Sequence, residues 1–300
     1  MFEVNLLYLG LGILLLTVGA FVQHKELYSG LLITEYILIL LPCLLFLKIK
    51  GQPIKEVLRL NRIGLKQVFL IIGITIFTYP IAVFFQAIFY AILNLFKEVA
   101  PSSVPMPYDG LQYLISFFII ALAPGICEEV MFRGVMLDSY SSLGYRKSIV
   151  ISAFLFGMFH FNLLNFVGPT ILGIVFGIAV YKTNSIFTSM IGHTLNNGIA
   201  LTIGFFLNKY GNKIDEMLVE SSGTTESISS DFANFIPLIF LFLCFIAVKV
   251  MLNKLEPYDT NINDKEEISN IPRPFEKIKY FPIIIVIFLF IIINWIYLLV

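Results

Sequence analysis

Apolar residues in this chain run in long continuous blocks rather than in stripes. The blocks are Val4–Val22, Leu31–Leu47, Val68–Phe96, Leu111–Leu137, Ser148–Phe161, Pro169–Tyr181, Ser185–Leu207, Phe235–Leu252 and Phe281–Val300. A helix needs about 20 apolar residues to cross the hydrocarbon core of a bilayer, and most of the blocks reach or approach that length. None shows the period-two alternation of a transmembrane barrel strand. Helices, whose backbone hydrogen bonds close within one segment, are therefore the predicted elements. The fold class expected is all-α, a polytopic transmembrane helix bundle with about eight or nine membrane helices. Ser148–Phe161 and Pro169–Tyr181 are short for free spans and fit helices surrounded by protein. Gly173 and Gly177 form a G-x-x-x-G, a spacing that lets helices approach closely.

Composition agrees with that reading. Of the 300 residues, 58% are hydrophobic and 13% charged, against roughly half and a quarter in soluble domains. Formal net charge is zero at pH 7 and there is no basic tract, so nucleic acid is not an expected partner. Cys43, Cys127 and Cys244 lie in or beside apolar runs without C-x-x-C spacing, which predicts buried thiols rather than a disulfide framework. Met1–Val22 has no basic n-region, so it reads as a first membrane helix and not a cleaved leader.

Lysine and arginine fix an orientation. Lys48, Lys50, Lys55, Arg59, Arg62 and Lys66 face a single acid, Glu56, and mark a cytoplasmic segment. Threading the spans from there places Arg146, Lys147, Lys182 and Lys254–Lys279 on the same side. Lys55–Lys66 mixes aliphatic and basic residues, predicting an amphipathic helix on the inner leaflet. Asn208–Asn234 and Asn253–Lys279 read as solvated loops.

A charge near the bilayer centre costs on the order of 2.5–3.5 kcal/mol on insertion scales. Glu128, Glu129 and Arg133 nevertheless fall within the fourth run, and His160 and His193 within later ones. At ~1.5 Å per helical residue, His193 lies about 12 Å beyond Ser185, Glu128 about 15 Å from Asp138 and His160 about 18 Å from Ser148. Similar depth on three helices is what a shared site produces. Glu129 and Arg133 are spaced i,i+4 and pair on one helix face, whereas Glu128 is turned by about 100° toward a different neighbour. His193 and Asn197 share a face, as do Phe156 and His160, the phenyl ring being placed to wall in the imidazole.

Water activation is the chemistry such a set supports. Glu128 with His160 would deprotonate a water, and His193 with Asn197 would donate hydrogen bonds to the oxyanion formed at an amide carbonyl. Glu129 and Arg133 would hold their helix in register. No hydroxyl or thiol has an obvious paired base, so covalent catalysis is disfavoured; Cys127 is a nucleophile candidate by adjacency alone. Glu128, His160 and His193 are also three residues of the types that bind catalytic zinc. H-E-x-x-H is absent, and the reading without a metal is preferred.

These segments resemble the signature of the CPBP family of intramembrane proteases, also called Abi or type II CAAX-prenyl endopeptidases. Its motifs E-E-x-x-x-R, F-x-x-x-H and H-x-x-x-N stand here as Glu128, Glu129 and Arg133, then Phe156 and His160, then His193 and Asn197, in order and on separate spans. The resemblance covers roughly Leu111–Leu207. It implies a core at 111–207 within a single membrane domain of 1–300, with 1–110 and 208–300 as flanking helices and loops. It further implies an endopeptidase in which Glu128 and His160 act on water and His193 and Asn197 form the oxyanion hole. The expected partners are the lipid bilayer and a membrane-associated peptide or protein. Abundant Ile, Lys, Asn and Phe, an AT-rich-looking composition, point to a low-GC bacterial origin and so to a bacterial plasma membrane, where prenylated substrates are not expected. Two rival classes stand beside this one: a proton-coupled transporter, with Pro80 and Pro124 breaking helices at its site, and a non-catalytic scaffold or immunity protein that binds a peptide.

Overall fold

The computed structural model describes residues 1–97, 106–222, 230–257 and 277–299. Among them are nine long helices and no strand: α1 Phe2–Lys25, α2 Leu27–Ile49, α3 Leu65–Asn94, α4 Gly110–Leu143, α5 Tyr145–Phe159, α6 Val167–Thr183, α7 Phe187–Ser222, α8 Ser230–Asn253 and α9 Phe281–Leu299. Among the described residues seven segments are long and apolar enough to cross a membrane, and α5 and α7 are not among them. Many large apolar side chains point outward, including Phe21, Ile37, Phe69 and Trp295. Such a surface is stable only against lipid. The protein is an integral membrane protein.

Two expectations change. The polar segment from Asn208 is not loop at its start, because α7 continues to Ser222. Asn208–Ser222 holds no proline and several good helix formers, and a 36-residue helix is about 54 Å long, far more than a bilayer core requires. The second concerns Lys55–Lys66, which forms one helical turn, Ile54–Val57, instead of an amphipathic helix. The chain there is pulled inward: Val57 and Leu58 are buried in the core and Arg59 takes a left-handed φ of 47°. Asn61 Nδ2 donates to Asn184 O at 2.6 Å, and Ser185 Oγ returns a bond to Asn61 O at 2.6 Å.

Those bonds show that the basic connections gather at one end of the bundle. Lys50 pairs with Glu3, Lys66 with Glu256, and Arg59 lies 4.0 Å from Asp138. Asn5 Nδ2 reaches Lys279 O at 2.7 Å. The predicted grouping is thus present for the α2–α3, α4–α5 and α6–α7 connections and for the two ends of Lys254–Lys279, whose residues 258–276 lie outside the described residues.

Inside lipid the hydrophobic effect does not drive helices together, so close packing and interhelical hydrogen bonds do. Gly173 rests on Ala153, where an added Cβ would come within 2.9 Å of the alanine methyl. Tyr8 OH donates to Leu155 O at 2.8 Å and Ser152 Oγ to Phe132 O at 2.7 Å. Tyr8, Phe132, Phe156 and Phe159 form one aromatic core between α1, α4 and α5. A second core joins α3, α6 and α8 around Ile71, Ile74, Phe176 and Cys244.

Helices α5 and α6 form a hairpin whose ends both sit at the basic side. Its turn breaks regular structure deep in the bundle, where irregular backbone is tolerated only if protein satisfies it. Side chains of distant helices do so. Gln86 on α3 donates to Leu164 O and accepts from Gly168 N, both at 2.8 Å. Asn294 on α9 accepts from Leu163 N at 2.6 Å and donates toward Phe161 O at 3.4 Å.

Candidate active site

Glu128 and Glu129 lie where α4 changes pitch. Phe117–Leu122 and Val130–Met136 are π-helical stretches on either side of a short α segment, Ala123–Glu129. Such bulges are frequent at functional sites because they re-aim side chains. Gly125, one turn before Glu128, brings this segment against α7: a Cβ there would stand 3.0 Å from Thr194 N and 3.1 Å from Thr194 Cα. The glutamates thereby meet the histidine helix directly.

Glu129 points into protein. Its Oε1 accepts from Arg133 Nη1 at 2.9 Å and meets His193 Nδ1 at 2.8 Å, and neither Glu129 nor Arg133 is more than 1% exposed. The Arg133 guanidinium lies over the Phe156 ring, 4.4 Å from its centroid. Phe156 stands between the two histidines, with centroids 5.4 Å from His160 and 5.5 Å from His193. Phe176 stacks on His193, with ring centroids 6.4 Å apart. Glu129, Phe156 and Phe176 therefore fix the His193 ring.

Glu128 points elsewhere, into a cavity of about 780 Å³. His193 Nε2 is 3.8 Å from Glu128 Oε2. His160 caps the C-terminus of α5, with Nδ1 3.2 Å from Phe156 O, and Phe161 follows at φ 48°, which turns the chain away. Asn197 Nδ2 donates to Ile120 O at 3.3 Å and its Oδ1 accepts from Asn196 Nδ2 at 3.1 Å. Glu128, His160, His193 and Asn197 all line the one cavity. Most of its remaining wall is apolar, supplied by residues such as Tyr79, Val83, Ile120, Leu172 and Phe176. Cys127 is fully buried and does not line it.

Among the described residues no group of three His, Cys, Asp or Glu side chains is arranged to hold a metal ion. Glu128, His160 and His193 as placed form no such group.

One acid of the cavity lies outside the three motifs. Glu35 lies in the middle of α2, is 6% exposed, and lines the cavity with Glu128. An acid inside Leu31–Leu47 is the same kind of signal that singled out Glu128. It was visible in the sequence but belonged to no motif.

A helical membrane protein with a deep polar site is the class this geometry defines. Residues 110–199, which contain all seven motif residues, match the family model described as type II CAAX prenyl endopeptidase Rce1-like. The match spans 90 of the 300 residues and is a similarity of this segment to that family. No curated protein and no solved structure matches the chain.

Proposed function

We propose that the protein is an intramembrane endopeptidase that cleaves a peptide bond in a membrane-associated protein or peptide. The observation that carries this reading is the ring of Glu128, His160, His193 and Asn197 around one mostly apolar cavity. In the proposed reaction a water held by Glu128 and His160 loses a proton to the Glu128 carboxylate as its oxygen adds to the scissile carbonyl carbon. Asn197 Nδ2 and His193 Nε2 donate to the oxyanion. With Nδ1 2.8 Å from Glu129 Oε1, the His193 ring presents Nε2 toward Glu128 and the cavity. Collapse of the tetrahedral intermediate breaks the C–N bond, and the proton on Glu128 passes to the departing amine. Glu129, Arg133 and Phe156 position His193 without touching substrate.

The cavity wall suits an apolar, extended peptide segment, and its polar side chains concentrate where the bond would be cut. The mechanism uses no cofactor, and we place the protein in a bacterial plasma membrane.

Cleavage by the purified protein in lipid nanodiscs tests the reading, with two internally quenched probes: a peptide bearing an apolar segment of about 20 residues, and a farnesylated CAAX peptide. Wild-type protein is expected to cleave the first, and Glu128→Gln to lower kcat roughly 10²- to 10⁴-fold with folding intact. Cleavage of neither probe, or unchanged turnover in Glu128→Gln, overturns the proposal. Preference for the farnesylated probe overturns the substrate assignment alone.

A further inference from the structure

Beyond the main cavity lies a smaller chamber of about 190 Å³, walled by Leu15, Gln23, Thr34, Glu35, Ile39, Glu128, Phe159 and His160. The two chambers share Glu35, Glu128 and His160. Five of the eight wall residues of the smaller one are polar, in a bundle where lipid would otherwise demand apolar packing. Gln23 Nε2 donates to Thr34 Oγ1, and Thr34 Oγ1 to Gly30 O, each at 2.8 Å, so their polar groups are partly engaged. Glu35 is not: its Oε2 is buried and has no hydrogen-bond partner in the protein. Both helices that wall this side are π-helical there, at Leu15–Gly19 and Ile33–Leu40, and the second stretch carries Thr34, Glu35 and Ile39.

A carboxyl oxygen left unpaired in such a place is unfavourable, because its lost hydration is not replaced. Water is the partner that fits. At ~30 Å³ per molecule the chamber has room for several waters, and it offers the two to four polar partners each one needs. The arrangement also resolves a difficulty of access. An apolar peptide that fills the main cavity displaces water from it, yet hydrolysis needs one water at Glu128.

We propose that the smaller chamber supplies the hydrolytic water, and that the free carboxyl oxygen of Glu35 orients that water toward Glu128 and His160. The inference rests on the endopeptidase reading and adds to it an acidic residue outside the three motifs, on a helix outside the matched segment. Substrate binds on one side of the Glu128–His160 pair and water arrives from the other. No change in the balance of the reaction is involved, because Glu35 holds the water and the proton still passes to Glu128.

Three variants test it with the quenched apolar probe in nanodiscs. Glu35→Ala is expected to lower kcat about 100-fold while KM stays within about two-fold, since a residue that serves water and not peptide affects turnover alone. Glu35→Gln keeps an acceptor oxygen and is expected to restore kcat to within about ten-fold of wild type. Leu15→Phe fills part of the smaller chamber while leaving every polar wall residue in place, and is expected to reproduce the kcat loss should Glu35→Ala fail to fold. Wild-type kcat in Glu35→Ala or in Leu15→Phe overturns the inference, as does a loss confined to KM. If Glu128→Gln itself turns over normally, the endopeptidase reading has failed. If Glu128→Gln is inert while the Glu35 and Leu15 variants are fully active, only the water assignment has failed.

Discussion

The buried Glu129–Arg133–His193 cluster makes separable claims about stability and about turnover. Glu129→Leu leaves the Arg133 guanidinium, 1% exposed, with no facing carboxylate at 2.9 Å. Removing one partner of a buried ion pair costs about 3–5 kcal/mol, because the remaining charge stays desolvated and uncompensated. At about 2–4 °C per kcal/mol for a large domain, the apparent Tm should fall by roughly 6–20 °C. Adding Arg133→Met removes the orphan charge while its thioether stem keeps the contact with Phe156. Replacing a whole buried pair by apolar groups is often neutral, so the double variant should recover most of the loss. Turnover should not recover with it. His193 Nδ1 has lost the oxygen it meets at 2.8 Å, and removing a carboxylate that orients a working imidazole costs roughly 10²-fold or more. Cys43, Cys127 and Cys244 are buried at 0%, 0% and 1% exposure, so a thiol-reactive fluorescent maleimide reports unfolding directly. A double variant no more stable than Glu129→Leu would refute the ion-pair argument. Turnover that returns along with stability would refute the claim that Glu129 holds His193 for chemistry.

Two further outcomes are expected. Exhaustive chelation should leave cleavage of the apolar probe within about two-fold of untreated protein, matching a site without a grouped ligand set; loss of activity with zinc-specific rescue would overturn the metal-free mechanism. Glu26 caps α2 by accepting from Tyr28 N at 3.1 Å and Ser29 N at 2.6 Å, and its bonds to Ser29 and Tyr28 lower its pKa from the ordinary 4.5. A carboxylate with a depressed folded pKa stabilises above its unfolded value and loses that contribution as pH falls through the folded one. Glu26→Gln should therefore unfold at a lower temperature than wild type at neutral pH, with the gap closing below about pH 4, and a gap that does not depend on pH would count against the cap.

The motif residues were legible because cost makes them conspicuous: an acid or a histidine inside an apolar run has few reasons to exist, and i,i+4 spacing says which pairs share a face. That logic placed Glu129 on Arg133 and Glu128 apart from it, as the structure has them. Glu35 carried the same cost but had no neighbour in sequence to make a pattern, so only packing revealed its place beside Glu128. The Glu129–His193 contact was invisible for another reason. It joins α4 to α7 across 64 positions, and the glycine that allows it, Gly125, reads as one small residue among many. Pitch changes such as Val130–Met136 depend on neighbours and not on local propensity, which is why periodicity did not announce them. Lys55–Lys66 failed in the opposite way: its composition suits a surface helix, but bonds to Asn184 and Ser185 decide its path.

The way the α5–α6 turn is held has a consequence for what counts as one functional unit. His160 opens a bend whose exposed peptide groups are clasped by Gln86 and Asn294, and both lie outside residues 110–199. The segment that carries the recognisable signature is therefore not portable. Its histidine keeps its aim only while two unremarkable outer helices grip the bend, so drift in those helices retunes the site without altering a single signature letter.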